Sequence, residues 1–412
     1  MKKIMIIGAG LNQLPIIQTA KKQGRYVLVV SPQGDYPGIG IADEWLECDI
    51  FDIDRIIEYG RERKIDGVLS DQSDMAAPIV AKIAEKLGLV GYGYENALYF
   101  TEKTKMRELY RKLGFNVPDF YKADTYDEYI YAVNQMGYPF VIKPMDAFAS
   151  RGISLVRGEY EMQSAYETAM DCSRTKHIII EKYIKGPQFF SQGFTANGKL
   201  RMFAFSDRYY YNLENVFIPY TNAFPAKIDD GLKKDMTNLM NQVIEYLKPS
   251  YGHVWAEWIV EEKTGKLYMV EMAIRGGGAY VTSELIPRTY GIDTQEYLVK
   301  AALGEDVSDF FTMKLPKEKS AAFFSYLLPE GKVKYIEGLD KITQIPGVVR
   351  ADIKDIKPGD TIPKIADKTS RYGLIVVQGS NRDELDSIHK KLQDVINIKV
   401  DTKEGIKGVI WE

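Results

Sequence analysis

Only two cysteines, Cys48 and Cys172, occur in 412 residues. That is too few for a disulfide framework or a thiolate metal cage, and it suits a reducing, cytoplasmic compartment. An excess of positive charge is also missing: 54 Lys and Arg stand against 57 Asp and Glu, a net charge of −3. No global positive field therefore exists to hold nucleic acid or an anionic membrane, and small molecules are the expected partners. No stretch approaches the roughly 20 apolar residues that span a bilayer. The apolar run Ile4-Met5-Ile6-Ile7 behind Met1-Lys2-Lys3 stops at Gly8, too short for a secretory core, and reads as a buried first strand. There is neither an internal repeat nor a low-complexity tract. What remains is a chain with 45% hydrophobic residues, long enough to bury a large core divided among two or three domains.

The first 95 or so residues alternate strand and helix patterns. After Ile4–Ile7, Gly8-Ala9-Gly10 turns into a helix with Leu11, Leu14, Ile17 and Ala20 on one stripe. A strand follows at Tyr26–Val30, a helix at Ile53–Arg63, a strand at Gly67–Ser70 and a helix carrying Ala76, Ile79, Val80, Ile83 and Leu87. This order predicts a parallel sheet with helices on both faces. A dinucleotide site is suggested by Gly8 and Gly10. It is opposed by Gln13 at the third glycine position and by a second strand that ends Val29-Val30-Ser31-Pro32 without an acid for a ribose hydroxyl. The two glycines read better as a tight turn or a substrate contact.

A helix at Thr104–Leu113, then Gly114 and Pro118, marks a change of texture. Strand-like runs follow at Val141-Ile142, Ile178–Ile180, Trp255–Val260 and Leu267–Met272, which predicts an α+β region. Beyond residue 310, Pro316, Pro346, Pro358 and Pro363 divide the chain into short elements ending with a strand at Leu374–Val377. The predicted division is 1–98, 99–310 and 311–412.

The two strands around Glu262-Lys263-Thr264-Gly265 carry the most chemistry, because a left-handed Gly265 would close a short hairpin. A hairpin centred on Thr264 sets Glu257 opposite Glu271, with Cβ atoms about 4.5–5.5 Å apart, where like charges repel. A divalent cation between them satisfies both, since Mg²⁺ takes one or two carboxylates and completes its shell with phosphate oxygens and water. Trp255, Ile259, Leu267 and Met269 are expected on the same face. A solvated hairpin with two unrelated acids is the alternative, and a one-residue slip would part them. Arg275 and Gly276-Gly277-Gly278 follow, a planar fork and a run of amides suited to an anion.

The ordered set Lys143-Pro144, Ser150-Arg151-Gly152, Glu181-Lys182-Tyr183-Ile184, Glu257, Glu271 and Arg275 resembles the ATP-grasp superfamily over nearly the whole chain. The resemblance implies an N-terminal α/β domain, a two-subdomain ATP-grasp domain with a lid at about 118–180, and a small C-terminal α+β domain. It implies that Lys103 and Lys143 contact ATP, with Lys143 on the α- and β-phosphates. Residues 146–152 would form the phosphate lid, and Glu181-Lys182-Tyr183-Ile184 would be the hinge whose main chain reads adenine. Glu257 and Glu271 would bind Mg²⁺, or Mn²⁺ in its place, and Arg275 would serve catalysis. Two positions depart from the family: Gly186-Pro187-Gln188 offers Gln188 in place of a ribose-binding glutamate, and Ala273 replaces an Asn, leaving one of two metal ions held more by water.

Glu271–Gly278 is similar to the amino-acid and carboxylate–amine ligases. So are Ile345-Pro346-Gly347-Val348, Lys357-Pro358-Gly359-Asp360 and Arg371-Tyr372-Gly373, which resemble the closing domain of L-amino-acid ligases. The implied activity is ATP-dependent carboxylate–amine ligation through an acylphosphate, and family precedent allows a homodimer. The rivals are a purine-biosynthesis ligase of the phosphoribosylglycinamide synthetase kind, a carbamoyl-phosphate synthase-like enzyme, an NAD-dependent enzyme and a nucleotide-binding protein without turnover. The aromatic stretch Tyr209-Tyr210-Tyr211-Asn212 through Phe217, Tyr220 and Phe224 would lie near the acceptor pocket, although core packing uses the same residues.

Overall fold

A computed structural model describes residues 1–146 and 151–412. Strands β1 (Lys3–Ile7), β2 (Tyr26–Ser31), β3 (Glu44–Glu47) and β4 (Gly67–Leu69) form a parallel sheet in the order β3-β2-β1-β4. Their near-continuous Val, Ile and Leu runs are what a sheet covered on both faces requires. Helices α1 (Leu14–Lys22), α2 (Ile53–Arg63) and α3 (Ala76–Leu87) supply the cover. Asp52 caps α2 by accepting from the Arg55 amide, and Gly88 ends α3 in the left-handed conformation. The first helix begins at Leu14, and Leu11 is 67% exposed rather than part of the apolar stripe, because residues 11–13 form a turn. Strand β3 had no clear signal: Glu-Trp-Leu-Glu is too short to display a period.

Helices α4 (Tyr94–Tyr99) and α5 (Lys103–Lys112) lead to a small antiparallel sheet of β5 (Phe120–Ala123), β6 (Phe140–Pro144), β7 (Ser154–Val156) and β8 (Ile178–Lys182), ordered β5-β8-β6-β7. Two helices, α6 (Tyr126–Met136) and α7 (Met162–Cys172), close its own core around Tyr129, Phe140 and Ile178. A reciprocal capping box, Thr125 with Glu128, starts α6.

The largest sheet begins with β9 (Gln188–Ala196), β10 (Lys199–Tyr210), β11 (Pro219–Phe224), β12 (Tyr251–Val260) and β13 (Leu267–Ala273). The chain beyond residue 310 adds β14 (Ser320–Tyr326), β15 (Gly331–Glu337), β16 (Val348–Ile353), β17 (Thr361–Ile362), β18 (Gly373–Gly379), β19 (Asn397–Thr402) and β20 (Gly405–Lys407). Of these, β14, β18 and β16 extend the large sheet into an eight-stranded β13-β12-β9-β10-β11-β14-β18-β16, while β17-β15-β19-β20 form a separate sheet. The elements therefore continue past Leu374–Val377, with a helix at Arg382–Val395 and two further strands. Trp258, Met269 and Met272 on one face of the β12–β13 hairpin pack with Met236, Met240 and Ile244 of the helix Asp230–Leu247. No helix of the described residues is long and apolar enough to cross a membrane.

Candidate active site

The β12–β13 hairpin turns at Gly265, whose φ of 68° is left-handed, and Glu257 pairs with Glu271. The register shifts one residue lower down: Trp258 pairs with Met269 and Ile259 with Tyr268, so Val270 is an extra residue on β13. This bulge corrects the expected face. Tyr268 joins Glu257, Ile259, Met269 and Glu271 in the cavity wall, Met269 also packing with Trp258, whereas Leu267 packs against the core. A bulge re-aims every side chain beyond it, which a symmetric hairpin count cannot foresee. Trp255, on the expected side, stacks on Phe190 with ring centroids 5.7 Å apart.

The two glutamates line a cavity of about 610 Å³ that is bounded by the small β5-β8-β6-β7 sheet, the eight-stranded sheet, the turn after β1 and the loop after β4. Of the residues singled out by sequence, Lys103, Lys143, Glu181, Lys182, Tyr183, Ile184, Gln188, Glu257, Glu271 and Arg275 all contribute to its wall. Arg151 and Gly152 do not: Arg151 is exposed, with Nε 3.6 Å from Asp367 Oδ2, and Gly152 takes a left-handed φ of 70° beside Pro144 and Cys172. Ser150 lies outside the described residues, as does most of the expected lid.

On one side of the cavity the charges are mutually satisfied. Glu181, at the end of β8, accepts from Arg107 Nε of α5 at 2.5 Å through one oxygen and pairs with Lys143 Nζ of β6 through the other. Burial pushes the Glu181 carboxyl up, but the two cations outweigh it and hold it down at about 2. Burial lowers the Lys143 ammonium, against the pull of Glu181. The amides of Lys182 and Tyr183 are already bonded, to the carbonyls of Asp119 and Pro139, so neither is free to read a base, and this narrows the main-chain role expected of the hinge. Gly186 is required next to it, because a Cβ there would sit 1.8 Å from the Val260 carbonyl oxygen of the hairpin.

The other side contains cations that sequence reasoning did not find as site residues. Arg208 of β10 places Nη1 2.7 Å from Glu257 Oε1. Lys368 and Arg371, just before β18, also line the cavity, and among the described residues neither has a carboxylate at ion-pairing distance. Burial lowers the Lys368 ammonium to about 8, with Arg208 adding to the shift and Glu257 and Glu271 opposing it. The Arg371 guanidinium is lowered to about 10 by burial; it donates to the Pro219 carbonyl, and its Nε has no hydrogen-bond partner among the described residues. Of the aromatic stretch, Tyr210 and Phe217 reach the cavity; Phe224 and Tyr211 are core residues, and Tyr209 is 44% exposed.

Arg275 forms a fork with Asp74 from the loop after β4, Nε to Oδ1 at 2.7 Å and Nη2 to Oδ2 at 2.6 Å, and its guanidinium lies 4.6 Å from the Trp255 ring centre. Nearby, wholly buried Asp71 accepts from the Gly276 amide at 2.6 Å, and a Cβ on Gly276 would stand 2.8 Å from the same oxygen. The first glycine of the triplet is thus a matter of close approach. Among the described residues no three His, Cys, Asp or Glu side chains cluster to hold a metal. The pair Glu257 and Glu271 nonetheless suits Mg²⁺, which fills the remainder of its shell from phosphate and water, and buried Ala273 offers no further ligand.

Comparison with known proteins agrees with this geometry. Residues 136–283 match the ATP-grasp domain model, and residues 325–401 match L-amino acid ligase C-terminal domain 2. The chain is 22% identical over 425 residues to formate-dependent phosphoribosylglycinamide formyltransferase of Bacteroides thetaiotaomicron, covering 96% of this chain and 98% of that one. Among solved structures, L-amino acid ligase from Bacillus licheniformis superposes with a TM-score of 0.81 at 20% identity, covering 98% and 99% of the two chains. N5-carboxyaminoimidazole synthetase from Staphylococcus aureus, solved with ADP, gives 0.72 at 18% identity over 95% and 96%. The chain carries an ATP-grasp domain followed by an L-amino acid ligase C-terminal domain.

Proposed function

We propose that this protein is an ATP-dependent carboxylate–amine ligase, in which a substrate carboxylate is phosphorylated and an amine then displaces the phosphate. The observation that carries the reading is the facing pair Glu257 and Glu271 in one cavity with cations drawn from separate sheets. Its two-cysteine composition suits the cytoplasm, and a homodimer is compatible with the family.

The triphosphate lies along Lys103 and Lys143, whose charges offset the repulsion an entering carboxylate meets. Glu257 and Glu271 would hold Mg²⁺, which would supply neutralisation of phosphate oxygens. A carboxylate oxygen attacks the γ-phosphorus in line as the bond to the ADP oxygen breaks, giving ADP and an acylphosphate. Arg275, oriented by its fork with Asp74, faces the transferring group. An amine that has lost its proton then attacks the acyl carbon, inorganic phosphate leaves, and an amide remains. Enclosure of the acylphosphate in the cavity would limit the access of water to it.

A second reading has its own support. Among the described residues Lys368 and Arg371 have no carboxylate at ion-pairing distance, and two partly buried cations suit a substrate with a further anionic group, such as the phosphate of a ribosyl amine. ADP and phosphate release scored against amino acids, phosphorylated ribosyl amines and bicarbonate separates the readings. Glu271→Gln is expected to lower substrate-dependent ADP formation by roughly 10²–10³-fold, in line with loss of one transition-state charge partner. Wild-type rates in that variant would refute the proposed role of the glutamate pair.

A further inference from the structure

The wall of the cavity beyond Arg275 is built from residues that lack side chains with which to hold it, Gly276-Gly277-Gly278, and Gly277 and Gly278 face the cavity with Ala279. The upstream half is fastened by buried acceptors: Asp71 takes the Gly276 amide, and Gln192 Oε1 takes the Gly277 amide at 3.0 Å and the Thr282 hydroxyl at 2.8 Å. The downstream half has a different fastening. Ala279 and Tyr280 adopt φ of 53° and 62°, two successive residues with side chains in the left-handed region, which disfavours any Cβ. Immediately after them a π-helix, Val281–Leu285, opens with the Glu284 and Leu285 amides both donating to the Tyr280 carbonyl at 2.9 Å. Such a backbone persists only where its surroundings hold it.

The holding group comes from the far edge of the large sheet. The Tyr280 hydroxyl donates to the Asp352 carboxylate of β16, and the Arg350 guanidinium, on the same strand, covers the Tyr280 ring at 4.5 Å. Arg350 also bonds Asp352 at 3.2 Å through Nε and approaches Glu284 of the π-helix at 3.5 Å. None of Tyr280, Arg350 and Asp352 lines the cavity. We propose that Tyr280, strapped by Asp352 and Arg350 of the edge strand, is the positioning residue that sets Gly277–Ala279 against the bound acceptor substrate. The edge strand of the C-terminal segment thereby tunes substrate affinity without touching substrate. The proposal rests on the reading of this cavity as a substrate site.

The test uses the full chain and four variants. Asp352→Ala is expected to raise KM for the carboxylate or amine substrate roughly tenfold while KM for MgATP stays within about twofold. Asp352→Asn, which still accepts from the phenol, restores most of that loss. Tyr280→Phe gives the rise of Asp352→Ala, and so does Tyr280→Gly, even though glycine relaxes the backbone; the strap rather than the strain is then what counts. Amide exchange followed by mass spectrometry is expected to quicken at 276–285 in Asp352→Ala and to stay unchanged at 178–184. An unchanged substrate KM together with unchanged exchange at 276–285 overturns the proposal, as does exchange that quickens throughout the chain. If the wild-type protein turns over none of the substrates tested, the functional reading fails by itself, and exchange at 276–285 alone decides the strap.

Discussion

The two sides of the cavity treat positive charge in opposite ways. Around Glu181, each oxygen of one carboxylate meets its own cation, Arg107 or Lys143, before any ligand arrives. Around Lys368 and Arg371 no carboxylate among the described residues comes within ion-pairing distance, and burial depresses both groups. A desolvated cation with a partner is part of the architecture, whereas one without a partner is stabilised only by an anion from outside. The contrast assigns the Arg107–Glu181 pair to holding shape, beside the phosphate-binding Lys143, and Lys368 and Arg371 to binding.

Stability should separate them most sharply. Arg107→Ala leaves one oxygen of buried Glu181 without its cation, Lys143 holding the other, and is expected to cost up to about 3–5 kcal/mol in chemical denaturation. If it cost no more than an exposed substitution, the paired side would not be architectural. Arg371→Met is the converse test. It removes a charge with no carboxylate to satisfy, so the denaturation midpoint should hold or rise, while substrate KM increases by roughly 10–100-fold. A fall in stability with unchanged KM would erase the distinction. The smallest effect is a pH dependence. The Glu181 carboxyl is held near 2, below its unfolded value of about 4.3, so its contribution is present above that value and is lost as pH falls toward 2. Denaturation midpoints for Glu181→Gln between about pH 5 and 2 should therefore fall less steeply than those of the wild type.

The paired side was the more legible in sequence, for a physical reason. Lys143 and Glu181 end apolar strands with a visible period, and Glu257 and Glu271 belong to one hairpin whose turn residue Gly265 can be recognised locally. The bulge at Val270 is local too, but it leaves no mark in residue type, so Leu267 was expected on the cavity face and Tyr268 was not. Arg208, Lys368 and Arg371 reach the cavity only through sheet order. Arg208 stands across from Gln188 on β9, and the other two precede β18, which enters the sheet by pairing with β14. Arg371-Tyr372-Gly373 was recognisable as a family segment, yet nothing near it in sequence reveals that Arg371 lines the same cavity as Glu257. Asp71 and Asp74 likewise gain meaning only when the loop after β4 meets Arg275 and Gly276 more than 200 residues later.

Continuity of the eight-stranded sheet also bears on how this protein could be recombined with its relatives. The last 100 or so residues resemble an exchangeable module, but Ala321–Phe324 of β14 ladder directly onto Thr221–Phe224 of β11, and buried Arg382 grips Asp207 of β10 at 2.5 Å. A chimaera spliced in the linker ahead of Ser320 would have to match that seam, side chain for side chain, together with the Tyr280 strap. Compatibility between halves is thus decided along a strand pair in the middle of the molecule and at the strap, and the linker sequence matters little.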